Sequence, residues 1–88
     1  MAKKKVTFSF KPEQEVHDVK LAGNFTNWEQ GAIMMTKGRF GAWKAQTELE
    51  PGEYEYKFMA DGQWMNDPKA DKQKFNELGS ENSVKVVR

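Results

Sequence analysis

Hydrophobic and polar residues alternate along most of this chain, and the alternation has the period of a strand. Lys5 to Lys11 places Val6, Phe8 and Phe10 on one face, as expected of a half-buried strand that Pro12 ends. His17 to Gly23 alternates again through Val19 and Leu21. Asn24 to Trp28 is a polar turn that holds two large rings, and Ala32 to Thr36 predicts a short third strand. Lys37 to Gly41 is turn-like. Trp43, Ala45, Thr47 and Leu49 share a face of the next strand. Pro51 and Gly52 sit where a type II turn wants them. From Glu53 to Met59, Tyr54, Tyr56 and Phe58 face one way, and Glu55, Lys57 and Met59 the other. Asp61-Gly62 is a two-residue hairpin signal, with Gln63 to Met65 returning. Residues 66–81 read as a long surface loop, and Ser83 to Val87 closes as a last strand.

No segment carries a helical period. Short strands separated by turn signals predict an all-β, antiparallel β-sandwich. At 88 residues this is one domain, residues 1–88, with residues 1–5 and 88 expected to fray. A domain this small has little core to spare for an elaborate active site.

Composition narrows the function. Lys and Arg number 14 against 13 Asp and Glu, for a formal net charge of +1. Nucleic-acid binding feeds on a basic excess, and this chain lacks one. There is no cysteine, which excludes disulfides, zinc–thiolate sites and thiol chemistry. The amino-terminal lysines precede no apolar run of signal-peptide length, and no stretch has the length of a membrane span. A cytoplasmic protein, or a piece of one, is expected, acting as a monomer without cofactor or metal.

Candidates for catalysis are few. His17 is the one histidine, so no second imidazole or thiol completes a metal site or a triad. Asp61 and Asp67 make a conceivable carboxylate pair for glycoside hydrolysis. Each has a simpler turn-forming role, in Asp61-Gly62 and Asp67-Pro68.

The aromatic residues say more. Trp28 lies in a polar turn and Trp64 just past a hairpin tip, where chains run over the surface. Exposing two indoles is unfavourable unless a partner covers them. Either each ring folds back to cap the sandwich edge, or the pair forms a binding platform. A flat indole matches the C–H face of a pyranose. Burying about 100 Å² per ring contributes on the order of 2.5 kcal/mol. Lys57, Asn82, Ser80 and Asn27 supply partners for the sugar hydroxyls.

Five segments then occur in a telling order: Leu21-Ala22-Gly23-Asn24-Phe25-Thr26-Asn27-Trp28, Pro51-Gly52-Glu53-Tyr54-Glu55-Tyr56-Lys57-Phe58, Asp61-Gly62-Gln63-Trp64, Asn66-Asp67-Pro68 and Asn82-Ser83-Val84. Together they resemble the family 48 carbohydrate-binding modules, over about residues 16–87. That family includes the glycogen-binding domain of the AMP-activated protein kinase β subunit and the amino-terminal domains of isoamylases, pullulanases and branching enzymes. The resemblance implies an immunoglobulin-like, early-set sandwich that binds α-1,4-glucan without catalysis. It implies stacking by Trp28 and Trp64, hydroxyl contacts from Lys57, Ser80 and Asn82, and Leu78 threading against the curved glucan. The stretch between Pro68 and Leu78 is about a residue longer than in the kinase branch, with Phe75 a substitute for Leu78 and Glu81 an added charge beside the contact.

Two other readings stand beside this one. The domain is an accessory of a glycoside hydrolase family 13 enzyme, or an early-set domain that docks a protein through its exposed tryptophans. The Met1 start and the end at Arg88 favour a free-standing chain.

Overall fold

The computed structural model describes residues 3–76 and 79–88. Among these, strands β1 (Lys4–Phe10), β2 (Val19–Gly23), β3 (Ile33–Met34), β4 (Thr36–Lys37), β5 (Trp43–Leu49), β6 (Gly52–Ala60), β7 (Gln63–Met65), β8 (Lys72–Phe75) and β9 (Glu81–Val87) form two antiparallel sheets. One sheet runs β1-β5-β4. The other runs β3-β2-β6-β9-β8, with β7 also paired to β6. This is the antiparallel sandwich that the alternation implies, in the immunoglobulin-like form that the family resemblance implies.

The predicted inward faces are the ones that meet. Val6, Phe8 and Phe10 of β1 and Trp43, Ala45 and Leu49 of β5 pack against Val19 and Leu21 of β2 and Tyr56, Phe58 and Ala60 of β6. Phe10 stacks on Phe58 with ring centroids 4.5 Å apart, and Phe8 meets the edge of Tyr56 at 4.9 Å. Such aromatic pairs add to plain area burial.

The pattern and the structure differ at four places. Lys4 and Lys5, expected at a frayed end, pair in register with Leu49 and Glu48. The run Ala32 to Thr36 is two strands, because the chain leaves one sheet for the other at buried Met35: β3 pairs β2 and β4 pairs β5. Pro51-Gly52 is a bend between the sheets. Gly52 has φ 153°, far from the +80° that a type II turn requires. Residues 66–81 are not all loop, since Lys72–Phe75 forms β8 on the outer edge of β9.

That last difference depends on a polar knot. β7 and β9 lie end to end along one edge of β6, opposite Phe58–Ala60 and Gly52–Tyr56 respectively. At the junction the Tyr56 hydroxyl donates to Asp67 Oδ2 at 2.6 Å, and the Asp67 N–H donates to Ser83 Oγ at 2.8 Å. The other carboxylate oxygen accepts the Lys69 N–H at 2.9 Å, the turn role expected of Asp67. All three residues of the knot are buried. Burial pushes the Tyr56 phenol well above its ordinary pKa; the hydrogen bond to Asp67 and the charges of Asp67 and Asp71 push the same way. Tyr56 therefore keeps its proton, and its role as donor, above the pH at which an exposed tyrosine loses it.

The Tyr56→Phe protein should keep its fold and lose about 1–3 kcal/mol of stability, because it leaves one oxygen of a buried carboxylate without its donor. Urea unfolding measures this. An unchanged midpoint would mean that the knot contributes nothing.

Candidate functional site

The outward face of β6 carries Glu55, Lys57 and, next to them, Met59. Residues directly opposite in a ladder share a face. Ala22 therefore stands beside Lys57, Trp64 beside Met59, and Val84 beside Glu55. Asn82, two residues before Val84, lies on that face too. Ala22, Met59 and Val84 are buried although they sit outside the inter-sheet core. They are the floor of a second, outward surface.

Trp64 reaches this surface through the Asp61-Gly62 turn. Ala60 pairs with Gln63 across it, and the two turn residues have φ 48° and 81°, as a type I′ turn requires. The Asp61 carboxylate also accepts the backbone N–H groups of His17 and Asp18 at 2.8 and 3.0 Å. This fastens the turn to the chain entering β2. Trp64 remains 45% exposed.

Trp28 is presented by a different device. After β2, Asn24 prolongs the ladder: its N–H donates to the Glu55 carbonyl at 2.9 Å, and its Oδ1 accepts the Glu55 N–H at 3.2 Å. Phe25 then turns inward, stacked on Phe8 with centroids 5.6 Å apart. Thr26 Oγ1 accepts the Gly23 N–H at 3.0 Å. The same oxygen lies 2.9 Å from the Trp28 carbonyl oxygen and 3.0 Å from that of Gly23, one of which takes its proton. Asn27 and Trp28 both adopt left-handed backbone, φ 58° and 56°. A bulky residue does so only where its surroundings impose it. Here Phe25 anchors the turn inside, Thr26 ties it, and the indole projects half-exposed at the start of a 3₁₀ turn, Trp28–Gly31.

Trp28, Lys57, Trp64, Ser80 and Asn82 line one open groove of about 560 Å³, joined by Glu55 and Asn76. Lys57 Nζ lies 3.4 Å from Ser80 Oγ, which also accepts from Asn76 Nδ2 at 2.8 Å. Asn76 Oδ1 accepts the Ser80 N–H at 3.2 Å, and the Asn76 N–H donates to the Ser80 carbonyl at 2.8 Å. These bonds hold Ser80 against Asn76 beside the groove. Asn82 Nδ2 donates to Glu55 Oε1 at 2.9 Å. Apolar rings around a few convergent polar groups are the ordinary make-up of a ligand site.

The remaining candidates fall elsewhere. Leu78 lies outside the described residues. Phe75 is 72% exposed, but it pairs with Glu81, so alternation turns both away from the Lys74–Asn82 face. Neither the substitute for Leu78 nor the acidic neighbour of the contact is in the groove. Asn27 is not in its lining; its Nδ2 donates to Gln30 at 2.6 Å. Sequence reading passed over Glu55 and Asn76. Glu55 had a signal, its place two residues from Lys57 on the outward face. Asn76 had none.

Known proteins share this sequence pattern and fold. Residues 6–88 match the family model described as the glycogen recognition site of AMP-activated protein kinase. The chain is 34% identical over 71 residues to the 5′-AMP-activated protein kinase subunit beta-1 of Sus scrofa, covering 81% of this chain and 55% of that one. The Homo sapiens protein is also 34% identical over 71 residues, with 25% of its length covered. The chain thus spans about half of one such relative and a quarter of the other. It is 41% identical over 51 residues to the chloroplastic protein PTST homolog 2 of Arabidopsis thaliana, covering 58% of this chain and 9% of that one. The crystal structure of a maltogenic amylase from S. marinus superposes with a TM-score of 0.75 at 25% identity, covering 96% of this chain and 13% of the amylase.

The Trp28 turn has a weak point at Gly31, where a Cβ would run into the Thr26 carbonyl oxygen. Backbone cannot yield as a flexible side chain does. Gly31→Ala should therefore cost about 1–3 kcal/mol and shift the Trp28 indole N–H resonance while leaving that of Trp43 in place. A mutant with wild-type stability and an unmoved Trp28 signal would mean that the turn does not need this close approach.

Proposed function

Because the chain belongs to the family of the glycogen recognition site of AMP-activated protein kinase, we propose that its groove binds α-1,4-linked glucan and does no chemistry on it. One observation carries the reading: Trp28 and Trp64, from two separate elements, line a single groove with Lys57, Ser80 and Asn82. Each indole takes one face of a glucose ring and removes its C–H surface from water. Lys57 donates to hydroxyl oxygens, Ser80 both donates and accepts, and the Asn82 amide is a further polar partner. A curved α-1,4 chain suits rings held by different elements, whereas flat cellulose does not. Two stacked sugars, less the cost of ordering a flexible chain, correspond to affinities of roughly μM to mM.

A second reading concerns context. The amylase superposes over nearly the whole of this domain but only a small share of its own length. That favours a role as the accessory domain of a glucan-acting enzyme. The glucan then docks here while the chemistry is done on another domain.

Trp64→Ala should abolish detectable binding of maltoheptaose or β-cyclodextrin in a calorimetric titration, with the fold retained. Wild-type protein should bind both and ignore cello-oligosaccharides of equal length. A Trp64→Ala protein that binds as wild type does would sink the platform, and equal binding of the cello-series would sink the α-glucan assignment.

A further inference from the structure

We infer that Glu55 is a positioning residue of the groove: its carboxylate sets which way the Asn82 amide faces the ligand. An asparagine amide has a donor end and an acceptor end of nearly equal shape, so what it offers a ligand depends on what pins it. A carboxylate only accepts. Glu55 Oε1 receives Asn82 Nδ2 at 2.9 Å, which fixes the NH₂ end against β6. Asn82 Oδ1 is thereby turned toward Asn76, another residue of the groove lining, 3.4 Å from its Nδ2.

The carboxylate is itself held. Glu55 Oε2 lies 3.5 Å from Lys74 Nζ, on the strand that leads into the 76–80 loop. Lys72 makes the parallel reach to Glu53 at 2.8 Å. Both lysines extend from β8 over β9 to β6, on the face that carries buried Val84. Glu55 thus joins the groove, on β6, to β8, the strand that ends just before Asn76 of the groove lining. Ion pairs this exposed add little stability by themselves. The hydrogen bond to Asn82 needs only the acceptor, so a neutral amide at position 55 can replace it.

This inference rests on the proposed glucan groove, and the test separates the two. The Asn82 side-chain NH₂ resonances are first compared in sugar-free wild type, E55Q and E55A proteins. Maltoheptaose affinity is then measured for these, for N82A and for the double mutant E55A/N82A. The Asn82 pair should move in E55A and stay near its wild-type position in E55Q. Affinity should fall about tenfold in E55A and N82A, about 1.4 kcal/mol, and by less than about twofold in E55Q. The double mutant should bind no more weakly than N82A. A further loss in the double mutant would mean that Glu55 touches sugar directly, and an unmoved Asn82 pair in E55A would mean that it positions nothing. Either overturns the inference. So does a tenfold loss in E55Q, should E55A fail to fold. If wild type binds no maltoheptaose, the glucan reading fails, while the sugar-free spectra still decide whether Glu55 orients Asn82.

Discussion

The hydrogen bond from Tyr56 to Asp67 stands where two strands meet end to end along one edge of β6. The chain leaves β7 there, passes around β9 and returns as its outer neighbour. That detour buries polar backbone and a carboxylate, which is costly unless each group finds a partner. Asp67 answers most of the demand: it takes the Tyr56 hydroxyl and the Lys69 N–H, and it gives its own N–H to Ser83. Gln73 adds a bond to the Asp67 carbonyl, and Asp71 accepts the Val86 N–H. Without this knot β8 has no fixed approach to β9. Without β8, Lys74, Asn76 and Ser80 have no fixed place beside the groove.

The groove and the core are the two faces of one strand. In β6, Tyr56 and Phe58 serve the inside, and Glu55 and Lys57 the outside. A domain with so small a core cannot enclose a deep cavity. An open surface of two rings and a few polar groups is within its means, and it suits a long neutral polymer that passes by. Fold and site also share the residues around Trp28, where Phe25 packs inward so that the next large ring can point out.

Much of this was legible because it follows the period of a strand. β1, β5 and β6 announce themselves by alternation, and Asp61-Gly62 by its turn chemistry. Trp28 and Trp64 stood out as rings in the wrong place for a core. β8 was illegible because Lys72, Gln73, Lys74 and Phe75 are all exposed. An edge strand held by its ladder and by ion pairs leaves no pattern of burial in its sequence. The break at Met35 was hidden for the opposite reason: a short apolar run does not say which of its residues serve which sheet. Glu55 was placed on the correct face, but its bond to Asn82 joins two strands and shows only once they pair.

The tight Asp61-Gly62 turn has a kinetic consequence. Met59 and Trp64 are paired across it, and so short a loop closes quickly; hairpins form in roughly 1–10 μs. Trp43 pairs with Phe10, a contact that waits on a much longer stretch of chain and on its greater closure entropy. The two indoles therefore time different events in the same refolding experiment. The fluorescence of one follows a local fold that the chain can make and unmake many times, and that of the other the moment when the two sheets come together.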